Sequence, residues 1–481
     1  MTPTIVLITV VAYFALLFSV SAWAGRGGSN SGFFSGGRSS NWFLVMLAMI
    51  GAPLSGVTFV SVPGMVQASG FSYMQMALGF LVGQLIIAFV LVPMYYRMQL
   101  VSIYGYLDKR FGLGAHKTGA WFFFISKLLG ASVRIFLICV VMQLLVFDPF
   151  GIPFIVNAAV TMLMVLLYTM GGVKSLVWTD TLKTICLILS IVLCLYFVAK
   201  GLGLSFSGLV SSVKGSESSR MFFFDDPNDK KYFFKQFLAG VFTLIATTGL
   251  DQDLMQRSLS CKNYSDSQKN IVWSSIIQTI VIFLFLTLGV ILYMYADKMG
   301  IALPAASDNM FPTVATSAQM PMIVGILFVV GLVSSTYSAA GSALTALTTS
   351  FTIDILGGDK MEDSKLTKTR KTVHVCMAVA MCAVIFIIKQ LNNTSVIDAV
   401  YTLASYTYGP LLGMFAFGIC TKRAVKDKAV PFIAIISPVL CYILASNSEQ
   451  WFNGYKFSYE LLIFNALFTF IGMLIFSKKN K

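Results

Sequence analysis

Ser335, Ser338 and Ser342 stand at i, i+3 and i+7 in the stretch Gly331-Leu332-Val333-Ser334-Ser335-Thr336-Tyr337-Ser338-Ala339-Ala340-Gly341-Ser342, so on a helix their hydroxyls share one face. A row of oxygens suits a hard cation where it meets further oxygens, and suits close helix packing where it does not. Lys127 and Arg134, at i and i+7 of another apolar run, also share a face. The guanidinium can clamp a carboxylate with two parallel bonds; the alternative is that both side chains snorkel or neutralise a neighbouring acid. Asp180 lies at the end of a further apolar run with Lys183 one turn on. An acid at membrane depth is costly, so it binds an ion, caps a helix or pairs with that lysine.

None of this is the equipment of an enzyme. Catalysis needs acid, base or metal ligands converging at one depth, and the sequence has no HExxH, no paired acidic catalytic motif and no Ser/His arrangement. His116 and His374 are far apart, and the eight cysteines (Cys139, Cys186, Cys194, Cys261, Cys376, Cys382, Cys420, Cys441) form no CxxC pair, so neither a zinc site nor a disulfide framework is expected.

The elements that must position these groups follow from composition. With 57% hydrophobic and 11% charged residues over 481, the excess apolar surface must face lipid. Apolar runs of roughly 20 residues recur, each long enough to cross a hydrocarbon core of about 30 Å as a helix. The expectation is an all-α polytopic membrane protein with spans at 3–23, 42–69, 72–96, 118–146, 153–171, 177–199, 236–252, 271–296, 320–352, 373–390, 396–420, 430–447 and 458–476, about thirteen in all. The first, which runs into Ala22-Trp23-Ala24-Gly25-Arg26, lacks a basic leader and reads as a retained helix.

The net charge of +14 is distributed by loop. Alternate loops hold Arg26 and Arg38; Arg97, Lys109, Arg110 and Lys117; Lys174 and Lys183; Arg257, Lys262 and Lys269; the group from Lys360 to Lys371; Lys422 to Lys428; and the tail from Lys478. That is about 23 bases against roughly nine in the other loops, which places the N-terminus outside and the C-terminus in the cytoplasm. The basic balance is thus a matter of topology, and no nucleic-acid partner is expected. Asp251 and Asp253 then fall near the inner mouth, where gate salt bridges with Arg257 or other bases are expected. The outer loop 201–235, with Phe222-Phe223-Phe224-Asp225-Asp226-Pro227, is assigned to the membrane interface and given no chemistry.

Two spans are interrupted. Ile50-Gly51-Ala52-Pro53-Leu54-Ser55-Gly56 puts a proline and two glycines mid-span; Pro53 removes a donor, so carbonyls near Gly51 lose their normal partners and can hold a cation, or the helix merely kinks. Thr243-Leu244-Ile245-Ala246-Thr247-Thr248-Gly249-Leu250-Asp251 interrupts the seventh span with hydroxyls and a glycine. The breaks are five spans apart, as two inverted five-helix repeats require.

The local sequences resemble the sodium/solute symporter family, which includes bacterial proline, galactose and sialic acid carriers. The resemblance rests on Ser55-Gly56-Val57-Thr58-Phe59 with Pro63-Gly64; Tyr168-Thr169-Met170-Gly171-Gly172-Val173-Lys174-Ser175 leading to Trp178-Thr179-Asp180; Gly249-Leu250-Asp251-Gln252 with Gln256-Arg257; and Ser338 through Asp354. It implies a leucine-transporter-like fold with a peripheral helix and loop at 1–41, repeats at 42–200 and 234–421, and peripheral helices at 422–481. It also implies a sodium site on the carbonyls of Gly51 and Leu54 and the hydroxyl of Ser338, where Ala339 replaces a usual second hydroxyl. A further sodium position falls on Asp180, Ser338 and Ser342, with Gly341 where another serine is used. Ser55, Thr58, Thr247 and Thr248 are the implied solute lining, Tyr406 and Thr407 the implied closure, and Arg134 a candidate for a solute carboxylate.

The expected function is cation-coupled uptake, with sodium as the cation, of a small polar solute such as a sugar, sugar acid or amino acid by alternating access. A monomer in a bacterial plasma membrane would perform it. One cation entering down 100 mV contributes about 2.3 kcal/mol, nearly fifty-fold in solute concentration. The Ala339 departure keeps a proton-coupled or uncoupled carrier open. A sensor would need a signalling domain, for which the tail from Ser477 leaves no room.

Overall fold

The computed structural model describes residues 1–24, 41–98, 102–169, 173–358, 361–391 and 396–478. Arg26, Arg38, Lys360, Lys479 and Lys481 of the basic loops, residues 170–172 and the side chains of Lys174 and Ser338 lie outside the described residues.

The helices used below are α1 (Pro3–Ala24), α2 (Trp42–Gly51), α3 (Gly56–Ser69), α4 (Tyr73–Ile86), α5 (Val92–Met98), α6 (Leu113–Met142), α7 (Phe154–Thr169), α8 (Val173–Leu202), α9 (Phe233–Leu244), α10 (Gln252–Ser258), α11 (Tyr264–Met299), α12 (Met322–Ser350), α13 (Asp363–Leu391), α14 (Val396–Thr407), α15 (Gly409–Cys420), α16 (Val430–Trp451) and α17 (Leu461–Ile475). Among the described residues strand pairing is confined to β1 (Ala424–Val425), antiparallel to β2 (Ser477–Lys478).

Eight helical stretches among the described residues are long and apolar enough to cross a membrane, and up to eleven are if each bent pair is one span. The pairs are α2 with α3, bent 52°, the α9 segment with α10, bent 75°, and the α14 segment with α15, bent 47°. The third bend lies inside the stretch expected as one span, 396–420; Pro410 opens α15, and a proline there cannot continue the helix before it. Two shorter apolar helices, α7 and α17, stand over the other expected stretches.

Packing around the first two bent pairs is reciprocal. Helix α3 lies on α11 and α9 on α4; α8 runs along α12 and α14 along α6; α6 and α12 cross each other. Each of these two pairs thus packs on the long helix that follows the other. The α4–α9 crossing is made by glycines: a Cβ on Gly79 would fall 2.2 Å from the Phe237 carbonyl oxygen, and one on Gly240 would fall 2.3 Å from that of Met76. Such backbone-to-backbone approach is how helices gain contact in lipid, where apolar side chains have no reason to leave the solvent.

Candidate functional site

The first break follows from Pro53. Without an amide hydrogen there, the Met49 carbonyl loses its helical donor and accepts instead from Gln278 Nε2 at 2.8 Å. The Ala52 amide still reaches the Ala48 carbonyl, but the Ser55 amide turns to Pro53 O at 2.9 Å, and helical bonding resumes with Phe59 N donating to Ser55 O. Among the described residues no backbone amide reaches the carbonyls of Ile50, Gly51, Ala52 or Leu54. Neighbouring helices press on this segment: a Cβ on Gly51 would fall 2.2 Å from Thr184 Oγ1, and one on Gly56 would fall 1.9 Å from Thr336 Oγ1. Both threonine hydroxyls are buried without a hydrogen-bond partner. Unpaired buried oxygens are costly unless something electropositive meets them.

The second break is built differently. Residues Ile245–Gly249 form a π-helical turn, and Leu250 N donates to Ile245 O. The carbonyls it frees are taken by tyrosines, Gly249 O by Tyr95 Oη and Leu250 O by Tyr104 Oη, each at 2.9 Å. Asp251 caps α10 by accepting from the amides of Asp253 and Leu254. One break therefore presents open carbonyls, and the other presents a carboxylate.

Between them lies a cavity of about 100 Å³, lined by Leu54 and Thr58 of the first break, Thr243, Thr247 and Thr248 of the second, Lys127 and Arg134 of α6, Ala339 and Ser342 of α12, and Tyr401 and Tyr408. On one side Tyr73 and Leu403 separate it from a vestibule of about 1110 Å³ that is also lined by Asp398, Tyr406 and Lys456. Tyr73 Oη and Tyr401 Oη are hydrogen-bonded at 2.6 Å across that partition.

Below the cavity the charges form a chain. Lys127 Nζ meets the two Asp251 oxygens at 3.1 and 2.9 Å and Asp253 Oδ2 at 3.4 Å, and Tyr408 Oη donates to Asp251 at 3.1 Å. Arg257 Nε is 3.3 Å from Asp253 Oδ1, and its Nη1 donates to Asp180 Oδ2 at 2.7 Å. Lys183 Nζ closes the chain at 3.3 Å from Asp180 Oδ1. Three bases and three acids cancel. The lining itself carries two bases, Lys127 and Arg134, and two acids, Asp251 and Asp253, and of the two bases Arg134 makes no ion pair among the described residues.

A model of the sodium:solute symporter family matches residues 33–435. The chain belongs to that family. Among its relatives, human sodium-coupled monocarboxylate transporter 2 is 24% identical over 84% of this chain and 67% of its own length, and the human sodium/iodide cotransporter is 23% identical over 84% and 65%. The sodium/sialic acid symporter NanT of Aliivibrio fischeri is 23% identical over 93% of this chain and 89% of its own. The chain thus spans about two thirds of the human relatives' length and most of the bacterial one. In structure, a Na⁺-coupled sialic acid symporter in a substrate-bound outward-open state superposes with a TM-score of 0.83 at 19% identity, covering 99% of both chains. Mhp1, a nucleobase-cation-symport-1 family transporter, gives 0.55 at 14% identity over 93% and 94%.

In this family member the residues singled out from sequence divide. Leu54, Thr58, Thr247, Thr248, Arg134 and Ser342 line the cavity together. Gly51 sits at the open break, and Ser55 is the residue from which α3 starts, buried but outside the lining. The side chain of Ser338 is outside the described residues. Asp180 lies away from the lining in the charge chain, held by Arg257 and Lys183. Tyr406 faces the vestibule, and Thr407 Oγ1 bonds its own helix at Leu403 O, 2.7 Å away. The phase of α14 explains this: Tyr401, Ala404 and Tyr408 at i, i+3 and i+7 point to the cavity, and Tyr406, two residues from Ala404, points elsewhere. Sequence reading missed Tyr73, Tyr401, Tyr408, Thr243 and Gln278; the i, i+3, i+7 spacing of Tyr401, Ala404 and Tyr408 was the available signal.

Proposed function

We propose that the chain couples sodium entry to uptake of a small hydroxylated carboxylate, a sugar acid in type, by alternating access between two inverted five-helix repeats. The reciprocal packing and the paired breaks support the repeats. Sodium is the family's ion, and the open carbonyls of Gly51 and Leu54 are where a hard cation finds oxygen. Ala339 offers no oxygen there; the Thr184 hydroxyl against Gly51, which has no hydrogen-bond partner among the described residues, supplies a replacement.

The single observation that carries the solute class is Arg134, a guanidinium with no ion pair among the described residues that faces a hydroxyl-rich cavity. It demands an anion, and its fork suits a carboxylate. An amino acid would also bring an ammonium, but Asp251 and Asp253 are already engaged by Lys127 and Arg257. Thr58, Thr243, Thr247 and Thr248 instead offer hydroxyls to hydroxyls. A cavity bounded by a tyrosine partition on one side and a charge chain on the other fits a carrier whose site is reached by opening one of the two boundaries at a time. By the loop charges the vestibule side is outward, so solute enters as Tyr73 and Tyr401 part and leaves as the charge chain opens.

A thermal-shift screen of sugars, sugar acids and amino acids, each in sodium and in choline, tests this reading. The expected result is stabilisation by a sugar acid in sodium alone. Equal stabilisation by the neutral sugar, or no difference between the two salts, contradicts it.

A further inference from the structure

Lys183 is 1% exposed and has no path by which to snorkel. Its ammonium faces three oxygens, Asp180 Oδ1 at 3.3 Å, Tyr168 Oη at 3.4 Å and the Tyr337 carbonyl at 3.4 Å, with the Tyr168 ring centroid 4.4 Å away. An ammonium has three hydrogens, so this shell matches it donor for acceptor. The pocket joins three helices: Asp180 and Lys183 are one turn apart on α8, Tyr168 is on α7 and Tyr337 on α12. Tyr168 Oη also donates to the Tyr337 carbonyl, and Gly341 makes room for it, since a Cβ there would fall 1.8 Å from that hydroxyl. The second Asp180 oxygen is held by Arg257 at 2.7 Å.

A buried carboxylate beside a backbone carbonyl and a hydroxyl is what a free cation would seek. Here that arrangement already contains a cation on a tether. Arg257, shared with Asp253, holds the other Asp180 oxygen, so both oxygens are already engaged, and a further cation entering the pocket would meet the Lys183 ammonium at short range.

We propose that Lys183 is a tethered cation: its ammonium holds the pocket of Asp180, Tyr168 and Tyr337 permanently, excludes an exchangeable sodium from it, and so fixes the carrier at one sodium per solute. The inference rests on the sodium-coupled reading and adds the stoichiometry and the residue that sets it. It has an electrical consequence. One sodium with one monovalent carboxylate carries no net charge, so uptake of such a solute follows the sodium concentration ratio and is indifferent to membrane potential.

The test is equilibrium binding of radioactive sodium to the purified full chain in lipid nanodiscs, without solute, for the native protein, Lys183→Gln and the double variant Asp180→Asn/Lys183→Gln. The expected counts are one sodium per chain for the native protein, two for Lys183→Gln, and one again for the double variant, whose retained site also shows that the fold survives. Two sodium ions on the native chain, or one on Lys183→Gln, overturns the proposal. No sodium on any of the three overturns the underlying sodium reading with it. A second measurement needs no variant: steady-state accumulation of a monoanionic sugar acid by native protein in proteoliposomes is expected to be the same with and without an imposed 100 mV. A change approaching fifty-fold, the equivalent of one net charge, overturns it.

Discussion

At the scale of single residues the account depends on which charges are cancelled. Lys127 and Arg134 share a face of α6, yet Lys127 is matched by Asp251 and Asp253 whereas Arg134 makes no ion pair among the described residues. Arg134→Ala is therefore expected to raise the half-saturating concentration of a carboxylate solute by about 30-fold or more, the equivalent of about 2 kcal/mol for a lost charged pair. Arg134→Lys keeps the charge but not the fork and should fall between. Concentration-dependent uptake measures both, and an unchanged half-saturation in Arg134→Ala removes the basis for the solute class. Arg134 and the threonines were legible because polar groups in apolar runs are costly and stand out. Composition alone does not separate Tyr406 and Thr407 from Tyr401 and Tyr408, because it reveals which residues are polar, whereas the rotation of α14 is decided by packing. Asp180 stood out as an acid in an apolar run, but its second partner, Arg257, arrives from a helix 77 residues on and has no local sign in the sequence.

The two breaks do different work at the scale of the elements. Pro53 made the first one readable, and Gly249 with its hydroxyl neighbours the second; their difference was hidden, because Tyr95 and Tyr104 cap only the second and lie far away in sequence. The bend before α15 carried a signal in Gly409-Pro410 that the continuous apolar pattern of 396–420 outweighed. A consequence concerns Gly56, which admits Thr336 Oγ1 at a distance no Cβ tolerates. Gly56→Ala should lower thermal stability by about 1–3 kcal/mol through overpacking and weaken sodium activation with it. Gly56→Ala/Thr336→Ala, which removes the clashing hydroxyl, should recover much of the stability. Melting of the two variants in detergent checks this; equal losses in both would show that the contact is not what makes a glycine necessary at position 56.

For the whole molecule, the all-helical, polytopic character was readable because a bilayer accepts few alternatives to the helix. The reciprocal contacts around the first two bent pairs were not, since no pattern along one helix states which distant helix it meets. The proposed orientation rests on loop charge. In right-side-out vesicles, a cysteine placed at Ser458, on the vestibule side, should react with an impermeant maleimide, and one at Lys426 should not, in a background with the exposed Cys376 and Cys420 replaced. Reversed labelling would invert the direction of transport argued above. The central claim, that the open first break and the Arg134 cavity couple a cation to a solute, is tested most directly by initial uptake of the stabilising sugar acid into proteoliposomes with and without an inward sodium gradient. Uptake that rises above the external concentration only with the gradient is the predicted result; identical rates and plateaus in sodium and choline would contradict it.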